Sequence, residues 1–126
     1  MSPSLASRVA ITFMSGPLDG KTLEWPYPDA SAELVLTIGR REGCDILLNY
    51  DSQVSRVHAQ VVYEGAHRTF YLEDTGSRNG TFLGSSRLDG RVPLKPGALF
   101  RVGRTWLRLD PTRHLPEEAD KDNTQF

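Results

Sequence analysis

A single cysteine, Cys44, stands in 126 residues, so no internal disulfide can hold this chain together. Long apolar runs are missing too. None approaches the roughly 18 residues that span a bilayer, and residues 1–7 have neither the basic nor the apolar region of a secretory signal, so a cytoplasmic location without a membrane is the expectation. Charge of one sign is also absent: 15 basic residues face 16 acidic ones, for a net charge of −1. That argues against nucleic-acid binding through a broad positive field and confines any anion site to a local cluster. Lysine is scarce, 3 against 12 arginines, and arginine suits planar, bidentate recognition of phosphate or carboxylate. Three histidines, His58, His67 and His114, with one cysteine make no zinc pattern, so neither a metal nor a cofactor is expected. Finally, no stretch of helical period lasts three turns.

What the chain does have is a two-residue period, repeated. Val9, Ile11 and Phe13 alternate with polar neighbours, as do Val57, Ala59, Val61 and Tyr63, then Phe70 and Leu72, the pattern of half-buried strands. Gly16-Pro17-Leu18-Asp19-Gly20, Glu64-Gly65-Ala66-His67 and Lys95-Pro96-Gly97 are turns between such runs. Further runs at 33–38, 45–48, 98–102 and 105–109 bring the number of short strands to ten or eleven, which argues for an all-β sandwich in one domain. The expected division is a flexible N-terminus at 1–7, a folded domain at 8–110 and a disordered tail at 111–126. That tail carries four acidic residues and little to bury.

The chemistry concentrates between residues 39 and 81. If residues 64–67 turn the chain, antiparallel strands carry Ser55-Arg56-Val57-His58 and Asp74-Thr75-Gly76-Ser77-Arg78-Asn79-Gly80-Thr81 to one end of the sheet. The loop after Gly39, with Arg40 and Arg41, can join them. A phosphate dianion needs guanidinium and hydroxyl donors in a fixed array, and Arg40, Ser55, Arg56, Ser77 and Arg78 can all donate. Asn79 carries both a carbonyl and an amide, which match the backbone of an extended peptide. Taken singly, each has a plainer reading: Asn79-Gly80 is a tight-turn dipeptide, the serines are turn hydroxyls, and the arginines are solvated charges. His58 reads as a hydrogen-bonded structural imidazole.

The ordered set Gly39-Arg40, Ser55-Arg56-Val57-His58, then Asp74 with Ser77-Arg78-Asn79-Gly80-Thr81 resembles the forkhead-associated (FHA) domain. The resemblance implies an eleven-stranded antiparallel β-sandwich of the FHA/SMAD-like kind, with its binding loops at one end, and a module that recognises phosphothreonine in a partner protein. It implies that Arg40 and Ser55 contact the phosphate, that Asn79 bonds the peptide backbone, and that Ser77 and Arg56 assist. Arg41 and Arg78 are accessory at most; Gly39, His58 and Gly80 are architectural. A phosphate-independent β-sandwich module for acidic peptides or self-association is the alternative. Catalysis is not expected. Ser55 and His58 lie three apart, on opposite faces if the segment is extended, and Cys44 has no motif partner. The expected protein is a monomer.

Overall fold

The computed structural model describes residues 7–110 and 112–113; the expectations for 1–6 and 114–126 lie outside the described residues. The described chain consists of strands and connections: β1 (Ser7–Phe13), β2 (Thr22–Pro26), β3 (Glu33–Gly39), β4 (Ile46–Leu47), β5 (Ala59–Glu64), β6 (Thr69–Asp74), β7 (Thr81–Leu83), β8 (Ser86–Arg87), β9 (Arg91–Pro93), β10 (Leu99–Val102), β11 (Thr105–Leu109) and β12 (Thr112–Arg113). One sheet runs β12-β1-β11-β10-β7-β8, with β2 also on β1; the other runs β4-β3-β5-β6-β9. The alternating apolar residues meet between the two sheets. Val9, Ile11, Phe13, Phe100, Val102, Leu107 and Leu109 come from the first sheet, and Leu36, Ile38, Ala59, Val61, Phe70 and Leu72 from the second. Full burial of such a side chain is worth about 1.5–3 kcal/mol, so this core is what makes the sandwich rigid enough to carry loops.

Three features differ from the sequence expectation. First, β3 and β4 pair in parallel, Ile38 with Ile46 and Gly39 with Leu47, so the second sheet is mixed. Asp45 holds that crossover by accepting from the backbone N–H and the hydroxyl of Thr37 (2.9 and 3.1 Å). Second, the strand expected from Val57 begins at Ala59, and Val57 is 39% exposed. Residues 55–57 form a loop there, and their carbonyls accept from Arg40, Arg41 and Thr75. Third, β12 was not foreseen. It continues the register of β11 along β1, Ser7 opposite Arg113 just as Ile11 is opposite Leu109.

Registers show which loops share an end. Ile38 pairs with Ala59, Ala59 with Asp74, Val102 with both Thr81 and Thr105. The end of β3, the start of β5, the end of β6, the start of β7 and the β10–β11 turn therefore lie together. Asp51, 5% exposed, locks the loop before β5 onto this end: Oδ1 accepts from Gln53 N–H (3.0 Å), and Oδ2 from Arg104 N–H and the Thr105 hydroxyl (2.8 Å each). Both β1 and the β11–β12 line have their other ends, Ser7 and Arg113, at the far side of the sandwich.

Replacing Asp51 by Ala leaves three donors without their acceptor, at about 1–3 kcal/mol for each one that stays dry. Asp51→Ala should thus lose at least about 2 kcal/mol of unfolding free energy in a urea titration. A loss under about 0.5 kcal/mol would show that the loop does not depend on this carboxylate.

Candidate functional site

The site starts from a close backbone approach. A Cβ on Gly39 would lie 2.1 Å from the carbonyl oxygen of Arg56, so only glycine lets the 55–58 segment run against the end of β3. Three backbone bonds then hold the two together: Arg40 N–H to Ser55 O (3.1 Å), Arg41 N–H to Arg56 O (3.1 Å) and His58 N–H to Ile38 O (2.9 Å). Arg40 is anchored in turn by its Nε, which donates to Val54 O at 2.8 Å. Its two terminal nitrogens are left for a ligand.

His58 joins this segment to the loop between β6 and β7. Its ring is fully buried. Nδ1 accepts from Ser55 N–H (3.0 Å), so the ring proton sits on Nε2, which donates to Gly80 O (2.8 Å). Ser55 and His58 do touch, then, because the segment is a loop and strand parity does not apply to it. The contact is through the Ser55 backbone, and with both ring nitrogens engaged neither can take the Ser55 hydroxyl proton.

Asp74 organises the second loop. Oδ1 accepts from the N–H groups of Gly76 and Ser77 (2.8 Å each), and Oδ2 from the hydroxyls of Ser77 and Thr81. Partial burial alone would raise its pKa; the four donors, the Ser77 hydroxyl first among them, outweigh burial and hold the carboxyl below its ordinary value. Gly80, at φ +86°, closes the turn with its N–H on the Ser77 hydroxyl oxygen (2.8 Å).

The two serines therefore differ. Ser77 commits its proton to Asp74 and its oxygen to Gly80, and it belongs to the frame. Ser55 Oγ accepts from Arg78 N–H (3.1 Å) and keeps its own proton free to donate outward. Beside it lies a depression of about 220 Å³ lined by Arg40, Ser52, Gln53, Val54, Ser55, Arg56, Arg78 and Asn79. Asn79 gives one amide N–H to Gln53 O (2.8 Å), leaving the second N–H and the carbonyl for a ligand backbone.

Of the residues expected to bind, Arg40, Ser55, Arg56 and Asn79 are brought together here, and Arg78 joins them. Ser77 does not line the depression. Arg41 lies in a separate hollow with Thr37, Glu42, Gly43, Cys44 and Val57. Gly39, His58 and Gly80 sit beneath, as the frame. Sequence reasoning missed Gln53 and Asp51, although Asp51 followed by a bond to the N–H two residues on is an Asx turn with a readable signature. Arg40, Arg41, Arg56 and Arg78 take part in none of the ion pairs among the described residues, so the loop end is locally cationic on a chain of near-zero net charge. No group of three or more His, Cys, Asp or Glu among the described residues is placed to hold a metal ion.

Comparison with known proteins agrees with this geometry. The family model described as "FHA domain" matches residues 36–103. The FHA domain-containing protein FhaB of Mycolicibacterium smegmatis is 35% identical over 74 residues, covering 59% of this chain and 46% of that protein; the chain thus spans about half the length of that relative. The FHA domain of CT664 from Chlamydia trachomatis superposes with a TM-score of 0.69 at 22% identity, over 82% of this chain and 96% of that one. An FHA domain studied for phosphothreonine-dependent interactions superposes with a TM-score of 0.66 at 24% identity, over 82% and 95%. At these identities the two structures show the shared fold.

The lowered Asp74 pKa gives a pH prediction. A carboxyl whose folded pKa lies below its unfolded value contributes stability above the unfolded pKa and loses it as pH falls through the folded one. Asp74→Asn should be less stable than the parent at pH 7 by about 1–2 kcal/mol, allowing for partial solvent access. The gap should close as pH drops below about 4, read from urea midpoints across the acid range; a gap constant with pH would refute the role given to this carboxylate.

Proposed function

Because this chain belongs to the FHA domain family, we propose that it is a non-catalytic module that binds phosphothreonine in a partner protein and so couples Ser/Thr kinase signalling to protein assembly. One observation carries the reading. The terminal nitrogens of Arg40, the free hydroxyl proton of Ser55 and the spare amide of Asn79 all border one depression that supplies no counter-ion. The guanidinium and hydroxyl suit phosphate oxygens, and the amide suits the backbone of the extended peptide that carries them. Arg56 and Arg78 add positive charge at the rim, which speeds encounter with an anionic ligand and makes binding weaker at high salt. The phosphothreonine-dependent interactions of a structural relative are consistent with this assignment. A cytoplasmic monomer that needs no cofactor, nucleic acid or membrane completes the proposal.

Titration of one peptide in its phosphothreonine, phosphoserine, glutamate and unmodified forms tests the reading, with a large preference for the first as the expected result. Comparable affinity for the glutamate form would favour the alternative, a phosphate-independent module for acidic peptides. Truncating one partner of a desolvated charge pair costs about 2–5 kcal/mol, or roughly 30-fold to several thousand-fold in affinity. Arg40→Ala should therefore abolish measurable binding of a micromolar phosphopeptide. Its stability should fall by only about 1 kcal/mol, for the lost bond to Val54 O. Arg40→Lys should recover part of the affinity, since an ammonium cannot form the bidentate pair. Full affinity in Arg40→Ala by calorimetry would sink the assignment.

A further inference from the structure

β8 (Ser86–Arg87) places an arginine beside the site. Phe82 pairs with Arg87, Arg101 with Phe82, and Arg101 with Trp106, so Arg87, Phe82, Arg101 and Trp106 form one row across four strands. The row faces away from the core, since the neighbours of opposite parity, Thr81, Val102 and Thr105, are the buried ones. Within it the Arg101 guanidinium carbon stands 4.2 Å from the centre of the Phe82 ring and 5.8 Å from that of Trp106, and its Nη1 donates to Gly103 O (2.7 Å). Arg101 is therefore satisfied. Arg87 is not.

The Arg87 guanidinium lies over Gly80: a Cβ added there would be 2.6 Å from Nε and 2.8 Å from Cζ. Gly80 is itself immobilised, its N–H on Ser77 and its carbonyl on His58. Arg87 makes no hydrogen bond and no ion pair with any described residue, and Asp89, two residues on, does not reach it. An exposed arginine with no partner is ordinarily a mobile solvated charge. This one is packed on a rigid turn with its donors unfilled, one residue from Asn79. Arginine beside half-exposed aromatic rings is also the composition of energetically dominant contact surfaces.

We propose that Arg87 is a second anion-binding point for the ligand, taking a carboxylate or a second phosphate carried by the peptide where it leaves the depression on the Gly80 side and meets the Arg87-Phe82-Arg101-Trp106 row. The proposal rests on the phosphothreonine reading of the depression itself. Charge complementarity and continuity with Asn79 identify the occupant as the flank of the same phosphorylated chain. No acidic side chain among the described residues pairs with Arg87, which leaves its charge available to the ligand.

The test uses the full chain and singly phosphorylated threonine peptides of one length, with an acidic side chain, its amide, or a second phosphothreonine placed in turn at each flanking position on either side. At the position facing Arg87, the acidic peptide should bind about three- to fivefold more tightly than its amide, the range of a solvent-accessible ion pair. Arg87→Gln should erase that difference while binding the amide peptide as the parent does, with an unchanged melting temperature. A second phosphate that gains more than tenfold over the carboxylate, with that gain also lost in Arg87→Gln, would identify phosphate as the group read. Equal affinity for acid and amide at every position, or a preference that survives in Arg87→Gln, overturns the proposal. Failure of every phosphothreonine peptide to bind would instead remove the underlying reading, a result distinct from failure of the flank alone.

Discussion

Two hydrogen bonds on one imidazole set the geometry of the loop end. His58 Nδ1 fixes the backbone of Ser55 and Nε2 fixes the carbonyl of Gly80, so the segment bearing the hydroxyl and the turn bearing the amide cannot move independently. The ring can do this only because it is buried and neutral, with one nitrogen accepting and the other donating. Everything nearer the surface is referenced to it. Ser77 and Asp74 shape the turn whose carbonyl it holds, and Gly39 gives the Ser55 segment room to lie where the ring can reach it. Asp51 performs the matching task on the other side, tying the wall of the depression to the turn between β10 and β11. Donors held by such a frame have little freedom left to lose, the condition for preorganised recognition in a shallow depression.

Much of this was legible beforehand because strand period and turn chemistry are local signals. The alternation at Val9, Ile11 and Phe13, or at Phe70 and Leu72, corresponds directly to core positions, and the architectural roles of Gly39, His58 and Gly80 could be assigned from an ordered motif. What escaped detection depends on contacts that no local pattern encodes. Val57 continues the apolar alternation of its strand, yet it is turned outward because its neighbours' carbonyls are claimed by Arg40 and Arg41. The two serines look alike in sequence, but only the position of Asp74 decides that Ser77 is frame and leaves Ser55 its proton. The parallel pairing of β4 depends on a clasp between Thr37 and Asp45 across a loop, and β12 on a strand some hundred residues earlier. Arg87 had no motif at all, and its place follows from a register across four strands.

Charge is distributed with the same economy. On a chain of near-zero net charge the arginines of one end make no ion pair among the described residues, while Arg8, Arg91 and Arg108 are matched with carboxylates elsewhere on the sandwich. The result is a locally cationic loop end on a chain whose net charge is −1.

The placement of the two described chain ends has a consequence for how such a unit can be tethered. Ser7 and Arg113 lie side by side at the pole opposite the loops. A body attached at either of these ends would hang like a handle behind the blade, with the loop end pointing away from the point of attachment.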